Sequence, residues 1–485
     1  MQQLSKQAKN TIEKQNKRPA KKATNNASKQ GANKLSKLPP TARGAALAVL
    51  GEVLAEGAYT NIAINKYLRT HQLESMERRL FTELVYGTVK ALGTIDWYLA
   101  QCVSRPLEQL EKNVLNILRL SAYQLLYMER IPAAAACNEA VKLTRCVSHE
   151  GSAKLVNAVL RGLLRKQQAG EISLPNPQVD DAGYLALKYY HPRWLVKRWL
   201  GPWGRAGTEA LLAFNNTSAP VCLRTNTLVT TRERLLAELA AAGAEAAPSR
   251  WCSDGIIVSR LGEVGLGELL AKLPDSFYVQ DESSMLVAGL LAPLPGMEVL
   301  DMCSAPGGKT THVAQLMQNA GSITACDVHD HKLQLIAANA ARLGISIIKP
   351  TLNDGTALRA EWLAKFDRVL VDAPCSGLGV LRRRAEARWR KQRKDLKLFP
   401  PLQLAILNNA AQYVKDGGRL VYSTCTIEQS ENHYLIEEFL AKNTAWHRVP
   451  FAHPLTGEQV EELQILPQVD GIDGFYICVL EKRNE

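Results

Sequence analysis

At 485 residues the chain exceeds the roughly 250–300 at which a single core stops growing, so two to four domains are expected. Its 46% hydrophobic content is that of an ordinary globular protein; no run approaches the roughly 18 apolar residues that cross a bilayer, and no apolar segment near the N-terminus marks secretion. No membrane-spanning helix is therefore expected, and a cytoplasmic location is.

The net charge of +12 is unevenly placed. Residues 1–38 carry +9 and residues 382–397 carry +7, leaving −4 for everything else. An acidic body with two concentrated basic segments points to a polyanion met at defined places, and segment 382–397 reads as facing nucleic acid. The ten cysteines, spread from Cys102 to Cys478, form no CxxC pair, and no His/Cys cluster has zinc spacing. No metal site is expected, and a reducing compartment fits.

Residues 1–38 are rich in Lys, Asn, Gln, Ala and Ser and cannot offset the entropy of folding, so they are expected to form a disordered basic tail. Over 39–168 the apolar residues recur at helical spacing: Leu47, Leu50, Val53 and Leu54 on one face, Leu115, Leu118, Ala122, Leu125 and Leu126 on another, Val156, Val159, Leu160 and Leu163 on a third. The pattern predicts an all-α bundle of five to eight helices. Residues 169–276 read as a polar Pro/Gly linker followed by a small α+β subdomain, with strands near Val221–Asn226 and Gly255–Ser259 around a helix near Thr231–Ala242.

From Phe277 to the end, strands alternate with helices: Glu298–Met302, then Thr310–Gln318 helical, Ser322–Val328, Lys332–Leu343 helical, Ser346–Leu352, Arg368–Val371, Leu402–Val414 helical with Gly417-Gly418 as its C-cap, Arg419–Ser423, Glu431–Lys442 helical, and Phe475–Leu480. Such alternation predicts an α/β domain, 277–485, built on a doubly wound and mostly parallel sheet.

Within it, Asp301-Met302-Cys303-Ser304-Ala305-Pro306-Gly307-Gly308-Lys309 joins a strand to a helix through a glycine turn. Glycines let the backbone approach a nucleotide-like ligand, and the helix that follows offers free N–H groups. Asp327 ends the next strand 20 residues beyond Gly307, where a carboxylate can accept both ribose hydroxyls, and Asp354 ends the third strand. Spacing of this kind also suits NAD, but a G-x-G-x-x-G turn is absent, which favours S-adenosylmethionine. Two cysteines then follow neighbouring strands, Cys375 in Asp372-Ala373-Pro374-Cys375-Ser376 and Cys425 in Ser423-Thr424-Cys425-Thr426. Both should emerge at the cofactor edge of the sheet. An arbitrary cysteine is usually inert packing, but two thiols at adjacent strand mouths suggest covalent chemistry.

The strings DMCSAPGGKT, DAPCSGLGVLRR and YSTCT, with Asp473-Gly474-Phe475-Tyr476 near the C-terminus, resemble the RNA cytosine-5 methyltransferases of the Sun/RsmB family. Arg78–Thr88 and Lys154–Arg161 resemble a NusB-like helical RNA-binding domain, the feature of the bacterial branch that acts on 16S rRNA. One departure is Ala385-Glu386, where the family often has a Pro-Asp pair. The resemblance implies a Rossmann-like S-adenosylmethionine-dependent methyltransferase domain preceded by a NusB-like domain, acting as a monomer on 16S rRNA. Cys303, Ser304, Ala305, Pro306, Gly307, Gly308 and Lys309 would line the cofactor, with Asp327 on its ribose and Asp354 near its adenine. Asp372 would stand between cofactor and target base and contact the cofactor as well, Cys425 would be the nucleophile, and Cys375 would assist product release. A tRNA or 23S rRNA enzyme and a non-catalytic NusB-type RNA-binding factor are the competing expectations.

Overall fold

The computed structural model describes residues 38–262 and 265–483; the tail read as disordered, 1–37 of it, lies outside the described residues. Two units divide the rest: 38–217 together with 381–393, and 218–380 together with 394–483.

The first unit is helical. Ala42–Ala55, Thr60–Thr70, Ser75–Lys90, Leu92–Ala100, Lys112–Tyr127, Ala133–Val147 and Glu150–Gln168 enclose one apolar core. Local chemistry sets where helices begin: the Thr41 hydroxyl accepts the Gly44 N–H at 3.3 Å and a His149 ring nitrogen accepts the Ser152 N–H at 3.2 Å. Leu47, Leu50, Leu118, Val156, Leu160 and Leu163 are fully buried, while Leu54, Leu125 and Leu126 lie at the core's margin. Two more helices, Asp181–Lys188 and Arg193–Phe214, group with this unit. The second is two helices broken by Pro202 and by Gly204 at φ 61°.

The basic segment read as facing nucleic acid is partly buried in this helical unit. Arg388 is fully buried, and its guanidinium donates to the carbonyls of Tyr190 at 2.9 Å and Asn215 at 3.0 Å and to Asn216 Oδ1 at 3.0 Å. Trp389 donates its indole N–H to the Val89 carbonyl at 2.8 Å. Arg390 reaches the Val53 and Ala58 carbonyls at 3.0 and 2.5 Å, and buried Glu386 accepts from the Thr60 hydroxyl at 2.9 Å. Burial pushes the Arg388 guanidinium down to about 9. These arginines satisfy backbone carbonyls instead of displaying charge, because the Tyr190 and Asn215 carbonyls are helix-end and loop acceptors with no intrahelical partner.

The second unit carries two sheets. The smaller is antiparallel, in the order β2-β3-β1-β4, from β1 (Val221–Thr225), β2 (Glu245–Pro248), β3 (Gly255–Arg260) and β4 (Phe277–Val279). The alternation expected from Phe277 therefore starts one strand later, since Phe277 pairs with Thr225 and buries its ring in this sheet's core.

The larger sheet runs β10-β14-β9-β8-β5-β6-β7, with β13 also paired to β14. Its strands are β5 (Glu298–Asp301), β6 (Ser322–Asp327), β7 (Ile348–Leu352), β8 (Phe366–Asp372), β9 (Val414–Thr424), β10 (Trp446–Arg448), β13 (Glu462–Ile465) and β14 (Phe475–Lys482); β11 (Phe451–Ala452) and β12 (Gln459–Val460) form a separate ribbon. Strands β9, β8, β5, β6 and β7 are parallel, and β14, β13 and β10 antiparallel. Val369, Leu370, Leu420, Val421 and Tyr422 have no exposed surface, as expected for parallel strands covered on both faces. The chain begins in the middle at β5, fills one side with β6 and β7, then returns to the other with β8 and β9. The order therefore reverses between β5 and β8, which places the ligand crevice at their carboxyl ends.

Gly417-Gly418 does not cap a helix. The helix Phe399–Tyr413 passes directly into β9 at Val414, and Gly417, at φ 68°, turns the chain inside that strand. Among the described residues no helix is long and apolar enough to cross a membrane.

Candidate active site

The turn between β5 and the helix Gly308–Leu316 is fixed from both sides. Ser304 donates its N–H and its hydroxyl to the Cys326 carbonyl, each at 2.8 Å, which pins the turn to the end of β6. Asn353 donates its N–H to the Asp327 carbonyl at 3.1 Å, bringing the ends of β6 and β7 together. Gly307 sits at φ 100°, a conformation side chains disfavour, and opens the helix Gly308–Leu316. From the small sheet, buried Arg224 reaches the Gly308 carbonyl at 2.5 Å and the Thr311 hydroxyl at 3.0 Å, so the smaller sheet braces the start of this helix.

Asp327 accepts the His329 N–H at 2.9 Å and lies 3.5 Å from Lys332 Nζ. Asp354 accepts from the Thr356 N–H at 3.1 Å and its hydroxyl at 2.8 Å. A cavity of about 370 Å³ opens here, lined by Val328, Leu352, Asn353, Asp354, Ala357 and Arg359. Val328 and Leu352 expose apolar surface to it, and the buried Asn353 Nδ2 has no hydrogen-bond partner. An apolar slot with a few convergent polar groups is the form of a site for a flat heterocycle.

The thiols occupy the other half of the same edge. Register pairs Asp372 of β8 with Ser423 of β9, so the two strands end side by side. Cys375 and Cys425, both partly exposed, place their sulfurs 3.2 Å apart. Asp372 accepts from Lys309 Nζ at 2.7 Å on one oxygen and from the Ser423 hydroxyl at 3.0 Å on the other. Lys309, expected among the cofactor-lining residues, thus turns toward the thiols and lies 5.1 Å from the centre of the Phe475 ring.

The Cys375 thiol is held well above its ordinary value, first by its hydrogen bond with Cys425, then by burial and by the nearby Glu431 and Asp372. Two thiolates in contact cannot both be charged, and these causes favour the protonated form of Cys375. Burial opposes the Lys309 charge, but Asp372, Cys425 and Asp301 more than offset this and raise its pKa. A persistent cation therefore stands near Cys425. Burial pushes Cys303 well above its ordinary value, with Asp301, Asp372 and Asp327 acting in the same direction, so it is no candidate nucleophile.

Two residues of the site escaped the sequence reading. Glu431 and Asn432 precede the helix His433–Lys442 and are fully buried. With the helix expected over Glu431–Lys442, Asn432 reads as an ordinary residue of its first turn, whereas the helix starts at His433 and leaves Asn432 at the N-cap. Its side chain makes no capping bond here; it turns toward the loop of Cys425. A polar stretch of Glu, Gln, Ser, Glu and Asn beginning three residues after Cys425 was the only signal available.

The chain matches the family described as 16S rRNA methyltransferase RsmB/F over residues 288–481, the NusB family over 40–165, and an RsmF/B-like ferredoxin-like domain over 191–265. It is 36% identical to a probable ribosomal RNA small subunit methyltransferase B of Bacillus subtilis, over 91% of this chain and 98% of that protein. It is 32% identical to the ribosomal RNA small subunit methyltransferase B of Escherichia coli, over 85% and 92% of the two chains. Among solved structures, PH0851 aligns over 92% of this chain and 99% of its own with a TM-score of 0.80 and 28% identity. A methyltransferase homolog from Pyrococcus horikoshii aligns over 64% and 100% with a TM-score of 0.54 and 28% identity. With a NusB domain, a ferredoxin-like subdomain and a Rossmann-like domain in sequence, and relatives matched along nearly their whole length, the chain belongs to the 16S rRNA methyltransferase RsmB/F family.

Proposed function

We propose that this protein methylates C5 of a cytosine in small-subunit ribosomal RNA, using S-adenosylmethionine, by way of a transient bond between Cys425 Sγ and C6 of the base. The observation that carries the reading is the pair of sulfurs 3.2 Å apart at the ends of β8 and β9. Ribosomal RNA as substrate is supported by the names of the relatives and by the NusB match, which also favours 16S rRNA over tRNA or 23S rRNA.

The residues present fit the cofactor. Gly307 supplies the left-handed turn that opens the helix at the ligand edge, Asp327 keeps a carboxylate for ribose hydroxyls, and Asn353 Nδ2 and Asp354 face a slot suited to adenine. When bound, S-adenosylmethionine supplies an electrophilic methyl group. The chain's own residues do the rest. C5 of cytosine is a poor nucleophile, and addition of the Cys425 thiolate at C6 turns the ring into an enamine whose C5 is a good one. Asp372, fixed by Lys309 and Ser423, orients the base through its amino edge. After methylation the C5 proton passes to a base on the Cys375 side, directly or through water, and the C6–S bond breaks to release Cys425 as thiolate. The target must be unstacked for C6 to reach the sulfur, as in a single-stranded loop or by flipping.

The test is methyl transfer from labelled S-adenosylmethionine to 16S rRNA by wild type, Cys425→Ala and Cys375→Ala. Cys425→Ala is expected to be inactive, and Cys375→Ala to accumulate a protein–RNA adduct that survives denaturation. Turnover by Cys425→Ala would remove it from the role of nucleophile.

A further inference from the structure

One buried dipeptide bonds to the loops of both thiols. Glu431 Oε2 accepts the Ser376 N–H at 2.9 Å and the Gln403 side-chain N–H at 2.9 Å, and Gln403 Nε2 also donates to the Pro374 carbonyl at 3.0 Å. Both neighbours of Cys375 are thereby tied to Glu431. On its other side, Asn432 Oδ1 accepts from the Thr424 hydroxyl at 2.6 Å and Asn432 Nδ2 donates to the Thr426 carbonyl at 3.0 Å. Both neighbours of Cys425 are tied to Asn432.

The supports are themselves fixed. The Tyr422 hydroxyl donates to the Glu431 carbonyl at 2.8 Å, Asn432 Nδ2 also meets Gln464 Oε1 at 2.8 Å, and the Ser376 and Thr426 hydroxyls join the two loops at 2.7 Å. Gln403, Glu431, Asn432, Thr424 and Thr426 have no exposed surface. Burying a carboxylate costs several kcal/mol unless it is hydrogen-bonded, and an apolar residue could hold an ordinary turn without that cost. Burial does raise the Glu431 carboxyl above its ordinary value. Neither residue touches either sulfur in any hydrogen bond described above, so beyond the charge that Glu431 sets near Cys375 their effect on the thiols passes through the loops.

We infer that Glu431 and Asn432 are positioning residues that set the two sulfurs against each other, Glu431 through the Cys375 loop and Asn432 through the Cys425 loop. The inference rests on the division of roles between the thiols proposed above. It predicts that the two side chains fail differently. Without Glu431 the release step suffers, and without Asn432 the attack suffers.

The experiment uses the full chain with 16S rRNA and labelled S-adenosylmethionine, separating released methylated RNA from denaturation-resistant adduct. Glu431→Ala is expected to slow release by about tenfold or more and accumulate adduct, as Cys375→Ala does, since displacements near 1 Å cost up to about a hundredfold. Glu431→Gln, which keeps an oxygen for the Ser376 N–H, should restore release. Asn432→Ala, and Asn432→Asp, which loses the donor to Thr426, should lower adduct formation by a similar factor. A second readout needs no RNA: phenylarsine oxide condenses with two adjacent thiols to a cyclic dithioarsenite, losing one water and changing no oxidation state. The capture that disappears in Cys375→Ala reports this pair, and it should weaken about tenfold in Glu431→Ala, Asn432→Ala and Asn432→Asp. Wild-type capture together with wild-type partition in Glu431→Ala and Asn432→Asp would overturn the inference. Weakened capture with no adduct from Cys375→Ala would instead uphold the positioning and overturn the catalytic reading. If the alanine variants do not fold, Asn432→Asp and Glu431→Gln decide by the same two measurements.

Discussion

Lys309 Nζ lies 2.7 Å from Asp372 Oδ2 and is close enough to Cys425 for that thiol to help hold its charge. One cation thus serves a carboxylate at the end of β8 and a sulfur at the end of β9. The interaction is partly screened, since the Asp372 side chain is 28% exposed. Lys309→Met should therefore move the pH midpoint of Cys425 alkylation by iodoacetamide upward, by about one unit. An unmoved midpoint would mean the ammonium does not support the thiolate.

Cofactor affinity should depend on the far half of the edge. Asp327→Ala removes a charged acceptor for ribose hydroxyls, a loss of about 1.5–3 kcal/mol or at least tenfold in Kd. Calorimetric titration with S-adenosylmethionine measures it, and Asp372→Asn, on the thiol side, should change that Kd by less.

Asp301 provides a test of pH-dependent stability. Burial pushes its carboxyl up to about 7, against the Thr310 hydroxyl, which donates at 2.7 Å and acts in the opposite sense. The folded state then keeps a proton that the unfolded chain releases near its ordinary value, so this group's contribution declines as pH rises from about 4 to about 7. Over that window the decline is about 4 kcal/mol. His312 runs the other way: burial lowers it to about 4, so its contribution grows as pH rises from about 4 to about 6.5. Subtracting the Asp301→Asn stability curve from that of wild type isolates the carboxyl. A difference independent of pH between 4 and 7 would refute the assignment.

Arg388 separates structure from RNA binding in the basic segment. Arg388→Ala strands the Tyr190 and Asn215 carbonyls and Asn216 Oδ1 in a buried site, which should cost about 3 kcal/mol or more. Arg388→Lys should recover little, because one ammonium cannot reproduce the planar fork that meets all three acceptors. At temperatures where the variant is folded, the salt dependence of RNA affinity should match wild type; a slope lower by about one would show that Arg388 contacts phosphate after all.

Much of the site was legible before any coordinates, for a physical reason. Strand ends at a chain reversal gather whatever follows them, so Asp301–Lys309, Asp327, Asp354, Cys375 and Cys425 could be placed on one edge from alternation alone. What could not be read were contacts made by side chains far apart in sequence. Nothing in Lys309 announces that it turns to Asp372, 63 residues away. Arg388 reads as surface charge because its partners, Tyr190 and Asn215, lie 198 and 173 residues upstream. Gly417-Gly418 reads as a helix cap because helix-end and strand-entry turns ask for the same residue. Asn432 reads as part of a helix over Glu431–Lys442, but the helix begins at His433 and frees its side chain for the Cys425 loop.

The burial of 386–390 in the helical unit also has a consequence for synthesis. A chain emerging from the ribosome completes residues 38–217 long before 381–393, so the early helices wait with open carbonyls at Val53, Ala58, Val89, Tyr190 and Asn215. This N-terminal unit cannot finish folding until most of the second unit has been translated, and its maturation is timed by the catalytic half of the chain.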